Sequence, residues 1–282
     1  MTNRTIAFHN LGCKVNEYET EAMMLQMSKQ GYRLVPFTEK ADVYVVNTCT
    51  VTNIADRKSR QMLHRARRLN PEALVVAVGC YVQADREKAQ ADPAVDLVIG
   101  NDQKSRLAEL IEAGQSAAGA AAQFPAYEEL AVPGGSHAEI REASSHTRAF
   151  LKIQDGCNQF CSYCLIPYVR GRVRSRSRQE ILAEAADCLA GGFREIVLTG
   201  IHLSSYGTDL SGREMGEDLL DLIRELSALP GTHRLRLGSL EPRIVTDSFV
   251  EGLAACPNVC PHFHLSLQSG CDATLARMNR KY

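Results

Sequence analysis

Ala149-Phe-Leu-Lys-Ile-Gln-Asp155-Gly-Cys157-Asn-Gln-Phe-Cys161-Ser-Tyr-Cys164 holds the two signals that fix the architecture of this chain. Its first half, Ala149–Gln154, is a short apolar run that predicts a strand. Its second half spaces three cysteines as C-x3-C-x2-C, reached through Asp155-Gly156. Thiolates this close in sequence can converge on one soft metal centre. A structural zinc ion takes four protein ligands, and no fourth stands nearby. Three thiolates point to a centre with one open position, as in a cubane 4Fe-4S cluster with one iron free for a small molecule. A zinc knuckle, or three unconnected packing cysteines, are the plainer alternatives.

Downstream, Ser177-Arg-Gln-Glu180 is a capping box that opens a helix closing at Gly191-Gly192. Strand Glu195–Thr199, helix Gly216–Leu229, strand Arg234–Gly238, helix Thr246–Ala255 and strand His262–Leu267 follow. These make four βα units of a barrel-like sheet without visible closure. The chain stops at Tyr282, just inside what reads as another helix. An open parallel sheet leaves an apolar edge unpaired, so the barrel reads as cut short. Between the cysteines and the capping box, Arg170, Arg172, Arg174, Arg176 and Arg178 occupy every second position. In an extended segment they share one face, suited to phosphates or a carboxylate; a solvated charged stretch is the alternative.

Upstream, the first ~113 residues repeat the same alternation. Thr5–Asn10, Val43–Asn47, Leu74–Gly79 and Leu97–Gly100 read as strands, and Glu17–Gln30, Ile54–Leu69 and Ala84–Ala91 as helices. The pattern predicts a parallel sheet covered on both faces. Cys13, Cys49 and Cys80 each follow one of these strands. Parallel strands end at a common edge, where loops build a crevice, so three thiols far apart in sequence gather at one rim. Any one of them alone reads as a small buried hydrophobe. Helix Ile54–Leu69 carries Arg57, Lys58, Arg60, Arg65, Arg67 and Arg68, which read as distributed over several faces. Residues 114–144, Ala- and Gly-rich with little periodicity, read as a linker, with a short Ala-rich helix as the alternative.

Composition narrows the class. A net charge of −1 leaves any nucleic-acid contact to local patches. No apolar run is long enough to span a bilayer, and the first residues lack a signal-peptide layout, so a cytoplasmic protein is expected. Ten cysteines in such a protein favour metal or redox chemistry over disulfides. Cys188 reads as core, Cys256-x3-Cys260 as packing, and His202, His262 and His264 form no trusted ligand pattern.

The C-x3-C-x2-C loop, with Tyr163 before its last cysteine, resembles the radical S-adenosylmethionine (SAM) superfamily. With Cys13, Cys49 and Cys80 ahead of it, nearly the whole chain resembles the methylthiotransferase family within it. Gly12-Cys-Lys-Val-Asn16 and Asn47-Thr-Cys-Thr-Val-Thr-Asn-Ile-Ala-Asp-Arg-Lys-Ser-Arg-Gln61 are similar to the branch acting on N6-threonylcarbamoyladenosine in tRNA. The branch acting on isopentenyladenosine carries Gln-Met-Asn after the first cysteine, and the one acting on a ribosomal-protein aspartate a Pro-Lys-Asn type.

The resemblance implies an α/β fold: a Rossmann-like methylthiotransferase domain over 1–113, a linker over 114–144 and a radical SAM partial barrel over 145–282. The rest of that barrel and the small RNA-binding TRAM domain of the family are not in this sequence. It also implies two 4Fe-4S clusters, one on Cys157, Cys161 and Cys164 that splits SAM to a 5′-deoxyadenosyl radical. The other, on Cys13, Cys49 and Cys80, presents the sulfur. No side chain acts as catalytic acid or base, because the adenine C2–H is not acidic. Two SAM molecules are consumed, one methylating the sulfur and one giving the radical. Tyr163, Thr199, Gly200, Ser239, Glu241 and Gln268 are the expected SAM contacts, most from the strand-end rule for barrels. Arg170 to Arg178 are the expected RNA contacts. The partners implied are tRNA and an electron donor such as flavodoxin or ferredoxin, with a monomer and no membrane. A sister methylthiotransferase, or a colourless zinc-stabilised nucleic-acid-binding module, are the competing readings.

Overall fold

The computed structural model describes residues 4–114, 116–117 and 147–282. They form two compact units. One gathers the described residues up to Ala117 together with Tyr168–Arg170; the other holds 147–167 and 171–282. The stretch expected as a linker lies, beyond Gly114, Ser116 and Ala117, outside the described residues. Ala117 itself forms a parallel bridge with Ile99.

The first unit runs β1 (Thr5–Asn10), α1 (Lys14–Lys29), β2 (Arg33–Leu34), β3 (Val43–Thr48), α2 (Asn53–Leu69), β4 (Leu74–Gly79), α3 (Cys80–Ala84), α4 (Arg86–Gln90), β5 (Leu97–Ile99) and α5 (Leu107–Ala113), with a 3-10 stretch Asn101–Arg106 before α5. Its sheet has the order β2-β1-β3-β4-β5 and is parallel throughout. Period-2 alternation sorts the strand residues onto two faces. Ile6, Val43, Val45, Val76 and Val78 pack with Met23, Met27 and Leu110 from α1 and α5. Ala7, Tyr44, Val46, Val75 and Ala77 pack with Leu63, Ala66 and Tyr81 from α2 and α3. Both faces are covered, as the unbroken Val-rich runs require.

The second unit contains β6 (Ala149–Asp155), β7 (Arg174–Ser175), β8 (Glu195–Gly200), β9 (Arg234–Leu237), β10 (Ser239–Leu240) and β11 (His264–Leu265). Helix α6 (Ile166–Arg170), whose last three residues belong to the first unit, precedes β7, and α7 (Arg178–Ala190), α8 (Glu217–Ser227), α9 (Asp247–Ala254) and α10 (Asp272–Arg277) follow. The serine half of the capping box forms: the Ser177 side chain accepts from the Glu180 N–H, and α7 has its C-cap at Gly191. The sheet order is β7-β6-β8-β9, parallel except for β7. The expected fourth strand of that sheet is instead a two-stranded pair, β10 with β11. Gly238 still donates to the Leu198 carbonyl at 2.9 Å, and after it the chain leaves β8 for β11. The terminal helix α10 closes at Arg277, and 278–282 form a tail. Among the described residues no helix is long and apolar enough to cross a membrane.

Candidate metal centres

In the first sheet β1, β3 and β4 are adjacent, and each delivers one cysteine at its carboxyl end. Cys13 follows β1 after Leu11-Gly12 and sits at the N-cap of α1. Cys49 directly follows β3, and Cys80 follows β4 and opens α3. Burial pushes the Cys49 thiol up. A Val51 N–H opposes that, the charges of Cys80 and Cys13 reinforce it, and Arg170 pulls back down.

The backbone around this rim is closely held. Gly12 has φ +107°, and a Cβ there would lie 2.9 Å from Cys49 Cβ and 3.0 Å from its Sγ. Only glycine leaves that space to the sulfur. Asn16 Nδ2 donates to the Leu11 and Thr48 carbonyls at 2.7 and 3.1 Å. Asn47 Nδ2 donates to the Asn16 carbonyl, and Ser59 accepts from the Cys49 N–H while donating to the Cys49 carbonyl. Asn16, Asn47 and Ser59 thus tie the loops that carry Cys13 and Cys49. Asn101 Nδ2 reaches Cys80 Sγ at 3.5 Å and the Val169 carbonyl at 2.9 Å.

Beneath the rim lies a buried charge cluster with no sequence signature. Lys104 Nζ donates to Glu19 at 2.6 Å; Arg170 donates to both Glu19 oxygens at 2.8 and 3.0 Å and also reaches Asn16. Burial drives the Lys104 amine down, while Glu19 supports its charge; Arg170 opposes it and Cys80 favours it. Lys104 and Arg170 thus share the Glu19 carboxylate close to the thiols.

In the second unit Cys157, Cys161 and Cys164 line one open cavity of about 190 Å³ with Tyr163, Ser239, Glu241 and Gln268. His202 and Arg280, which the sequence did not single out as site residues, line it too. The turn into the loop demands Gly156: φ is +70° and a Cβ would stand 1.8 Å from the Arg172 carbonyl oxygen. The C-terminal tail braces the loop, with Ser162 N–H donating to the Met278 carbonyl and Asn279 to that of Phe160. Arg280 donates to Cys161 Sγ at 3.1 Å. His202 Nε2 lies 2.7 Å from Glu241, which is 3% exposed. Burial works against the Glu241 carboxylate, but His202, Arg243 and Arg280 hold its pKa below the usual carboxylate value. Thr199 and Gly200 do not line the cavity. They end β8, where Thr199 is buried and the Cα of Gly200 faces Gln154.

The expected cationic face over 170–178 does not form. The segment is helix α6 ending at Arg170, then Gly171 at φ +73°, then the two-residue β7, and four of the five arginines are taken up by carboxylates. Arg170 is 1% exposed on Glu19. Arg174 is paired with Asp155, Arg176 with Glu184, and Arg178 with Glu225 and Asp218. Arg172 alone is exposed, stacked over Phe160 at 4.3 Å.

Both trios fit a cluster in donor chemistry: soft sulfurs, three at each site, with cationic or N–H donors beside them. Among the described residues no group of His, Cys, Asp or Glu suits a single metal ion. A cubane differs, because its thiolates bind separate irons. Thiol reactivity checks the environments in the metal-free chain. Burial, reinforced by Cys164, Cys161 and Glu241 against a Gln159 N–H, pushes Cys157 up to about 11. Exposed Cys271 is drawn down by the N–H groups and hydroxyl at Ala273 and Thr274. At pH 8 about one Cys157 in a thousand is thiolate. Iodoacetamide is expected to label Cys271 long before Cys157, whose rate rises about tenfold per pH unit below 11. Equal rates by peptide mapping would contradict these environments.

Comparison with known proteins follows the same division. Residues 5–100 match the family described as Uncharacterized protein family UPF0004, and residues 151–282 match the Radical SAM superfamily. The chain is 41% identical to threonylcarbamoyladenosine tRNA methylthiotransferase MtaB of Bacillus subtilis, over 99% of this chain and 60% of the relative. It is 38% identical to the MtaB of Aquifex aeolicus, over 98% and 66%. A tRNA-2-methylthio-N(6)-dimethylallyladenosine synthase of Anaeromyxobacter dehalogenans is 33% identical, over 99% and 59%. The chain therefore spans about three fifths of the length of such relatives. Among solved structures, the radical SAM methyltransferase TsrM of Kitasatospora setae, with tryptophan and a SAM analogue bound, superposes with a TM-score of 0.63. At 17% identity, over 97% of this chain and 61% of that one, the likeness is one of fold.

Proposed function

We propose that this chain, which matches UPF0004 over residues 5–100 and the Radical SAM superfamily over 151–282, is a radical SAM methylthiotransferase that adds a methylthio group to C2 of N6-threonylcarbamoyladenosine next to the anticodon of tRNA. The observation that carries this reading is the pair of cysteine trios, one at the carboxyl ends of β1, β3 and β4 and one in the cavity of the second unit. We assign Cys13, Cys49 and Cys80 to one 4Fe-4S cluster and Cys157, Cys161 and Cys164 to the other. Residues 1–113 would form the first cluster domain, 114–144 the connection, and 145–282 the radical SAM core. When bound, the two clusters supply a reducing electron to SAM at one site and a transferable sulfur at the other.

The chain's own residues do the holding and shielding. Tyr163, Ser239, Glu241 and Gln268 stand where a SAM molecule on the second-unit trio would be contacted. Glu241, its carboxylate form favoured by His202, offers a buried negative charge to the sulfonium and an acceptor to the amino or hydroxyl groups of SAM. Arg280 places a cation on Cys161. At the other rim Arg170, held by Glu19, favours the anionic form of Cys49, and the sulfurs must be anionic to bind iron. The reading includes consumption of two SAM, a flavodoxin- or ferredoxin-type electron donor, action as a monomer and a cytoplasmic location.

The test is mass spectrometry of tRNA nucleosides from cells with and without the gene. Loss of the 2-methylthio form of threonylcarbamoyladenosine, with the unmodified nucleoside accumulating, is expected. Loss of 2-methylthio-isopentenyladenosine instead would reassign the chain to the substrate named for its dimethylallyladenosine relatives.

A further inference from the structure

Helix α2 carries an exposed cationic stripe that the proposed chemistry does not use. Arg57, Lys58, Gln61, His64, Arg65 and Arg68 are its exposed residues past the first turn, while Ser59, Leu63 and Ala66 are buried against the sheet. At 3.6 residues per turn the exposed set fits within about 120° of the circumference, and Arg57 to Arg68 spans about 17 Å.

The basic residues off this stripe are already engaged. Arg60 pairs with Asp56, and Arg67 with Asp96 and the Pro71 and Ala73 carbonyls. On the stripe, His64 pairs with Asp92. Among the described residues, Arg57, Lys58, Arg65 and Arg68 take part in no ion pair. The charges of this helix do lie on more than one face, as its sequence suggests, but the four uncommitted ones share one. The helix starts at the Thr52 cap, three residues after Cys49, so the stripe leads away from the rim that bears Cys13, Cys49 and Cys80.

We propose that this face of α2 docks the phosphate backbone of the tRNA substrate and directs the modified nucleotide toward that rim. The inference rests on the tRNA reading above. Four uncommitted cations on a helix suit a regular row of phosphates, in a chain whose net charge of −1 gives no general attraction for RNA.

The experiment measures binding of the full chain to an anticodon stem-loop RNA by fluorescence anisotropy across a salt series. It compares wild type with Arg57→Gln/Lys58→Gln/Arg65→Gln/Arg68→Gln, with the double Arg65→Gln/Arg68→Gln, and with the control Arg33→Gln/Lys40→Gln. The quadruple variant is expected to bind on the order of a hundredfold more weakly, with the log–log salt slope shallower by about 3. The double variant should lose roughly half of that slope change, about 1.5. The control, equal to the double in charge removed, should match wild type, and iron content and circular dichroism should be unchanged throughout. Wild-type affinity and slope in both stripe variants would overturn the proposal while leaving the tRNA reading intact. Equal losses in double and control would overturn it as a general charge effect. A wild-type chain that binds no RNA at any salt would overturn it together with the tRNA reading.

Discussion

Replacing any one of Cys157, Cys161 and Cys164 with alanine is expected to abolish reductive cleavage of SAM to 5′-deoxyadenosine, by on the order of a thousandfold or more. Loss of an outer-sphere partner costs a metal site roughly ten- to a hundredfold, and loss of a ligand costs more. The cavity offers no substitute donor of the same softness. His202 is engaged by Glu241 and Ser205, and Arg280 and the Gln159 N–H are donors that cannot ligate. Alanine at Cys13, Cys49 or Cys80 is expected to leave SAM cleavage in place and to block methylthio transfer. Either kind of variant should hold about half the iron of the parent. Retained cleavage in a Cys157, Cys161 or Cys164 variant, or its loss in a Cys13, Cys49 or Cys80 variant, would contradict the division of labour.

The second large effect is on stability. Glu19→Gln leaves Lys104 and Arg170 buried without their shared carboxylate. Removing one partner of a buried ionic group costs about 3–5 kcal/mol, because the remaining charge stays desolvated. For a unit of this size that corresponds to a fall in melting temperature of roughly 10–15 °C. Lys104→Met should cost far less, because Glu19 keeps its two-pronged contact with Arg170 and methionine fills the space of the lysine stem. Thermal melts of the two variants followed by circular dichroism make the comparison. Coincident melts would contradict the account of Glu19 as the carboxylate that both buried cations share.

Local regularity decided what could be read from the sequence. β1, β3 and β4 were legible because short apolar runs, Val-rich in β3 and β4, leave few other structures open. The placement of Cys13, Cys49 and Cys80 followed from strand order alone. The two-residue β2 and the 3-10 stretch before α5 carry too few residues to show a period. The β9–β10 break depends on the single glycine, Gly238. The arginines misled because local spacing does not show their partners: Arg170 ends α6 on Glu19, and Arg174, Arg176 and Arg178 pair with Asp155, Glu184 and Glu225. In sequence, Glu19 and Lys104 look like ordinary charges on a helix and a loop; their pairing spans 85 positions. In the second unit the strand-end rule named Ser239, Glu241 and Gln268, which line the cavity, and Thr199 and Gly200, which belong to β8 itself and do not; it passed over His202, two residues further on, which does. Arg280 had no local pattern to announce it, since its relation to Cys161 arises only when the tail folds back on the cysteine loop.

Anaerobic reconstitution followed by iron and acid-labile sulfide analysis tests the central claim of two cluster sites most directly. Two cubanes predict a brown protein with about eight irons and eight sulfides per chain. Saturation at about four of each, or a colourless chain that takes up zinc, would contradict it.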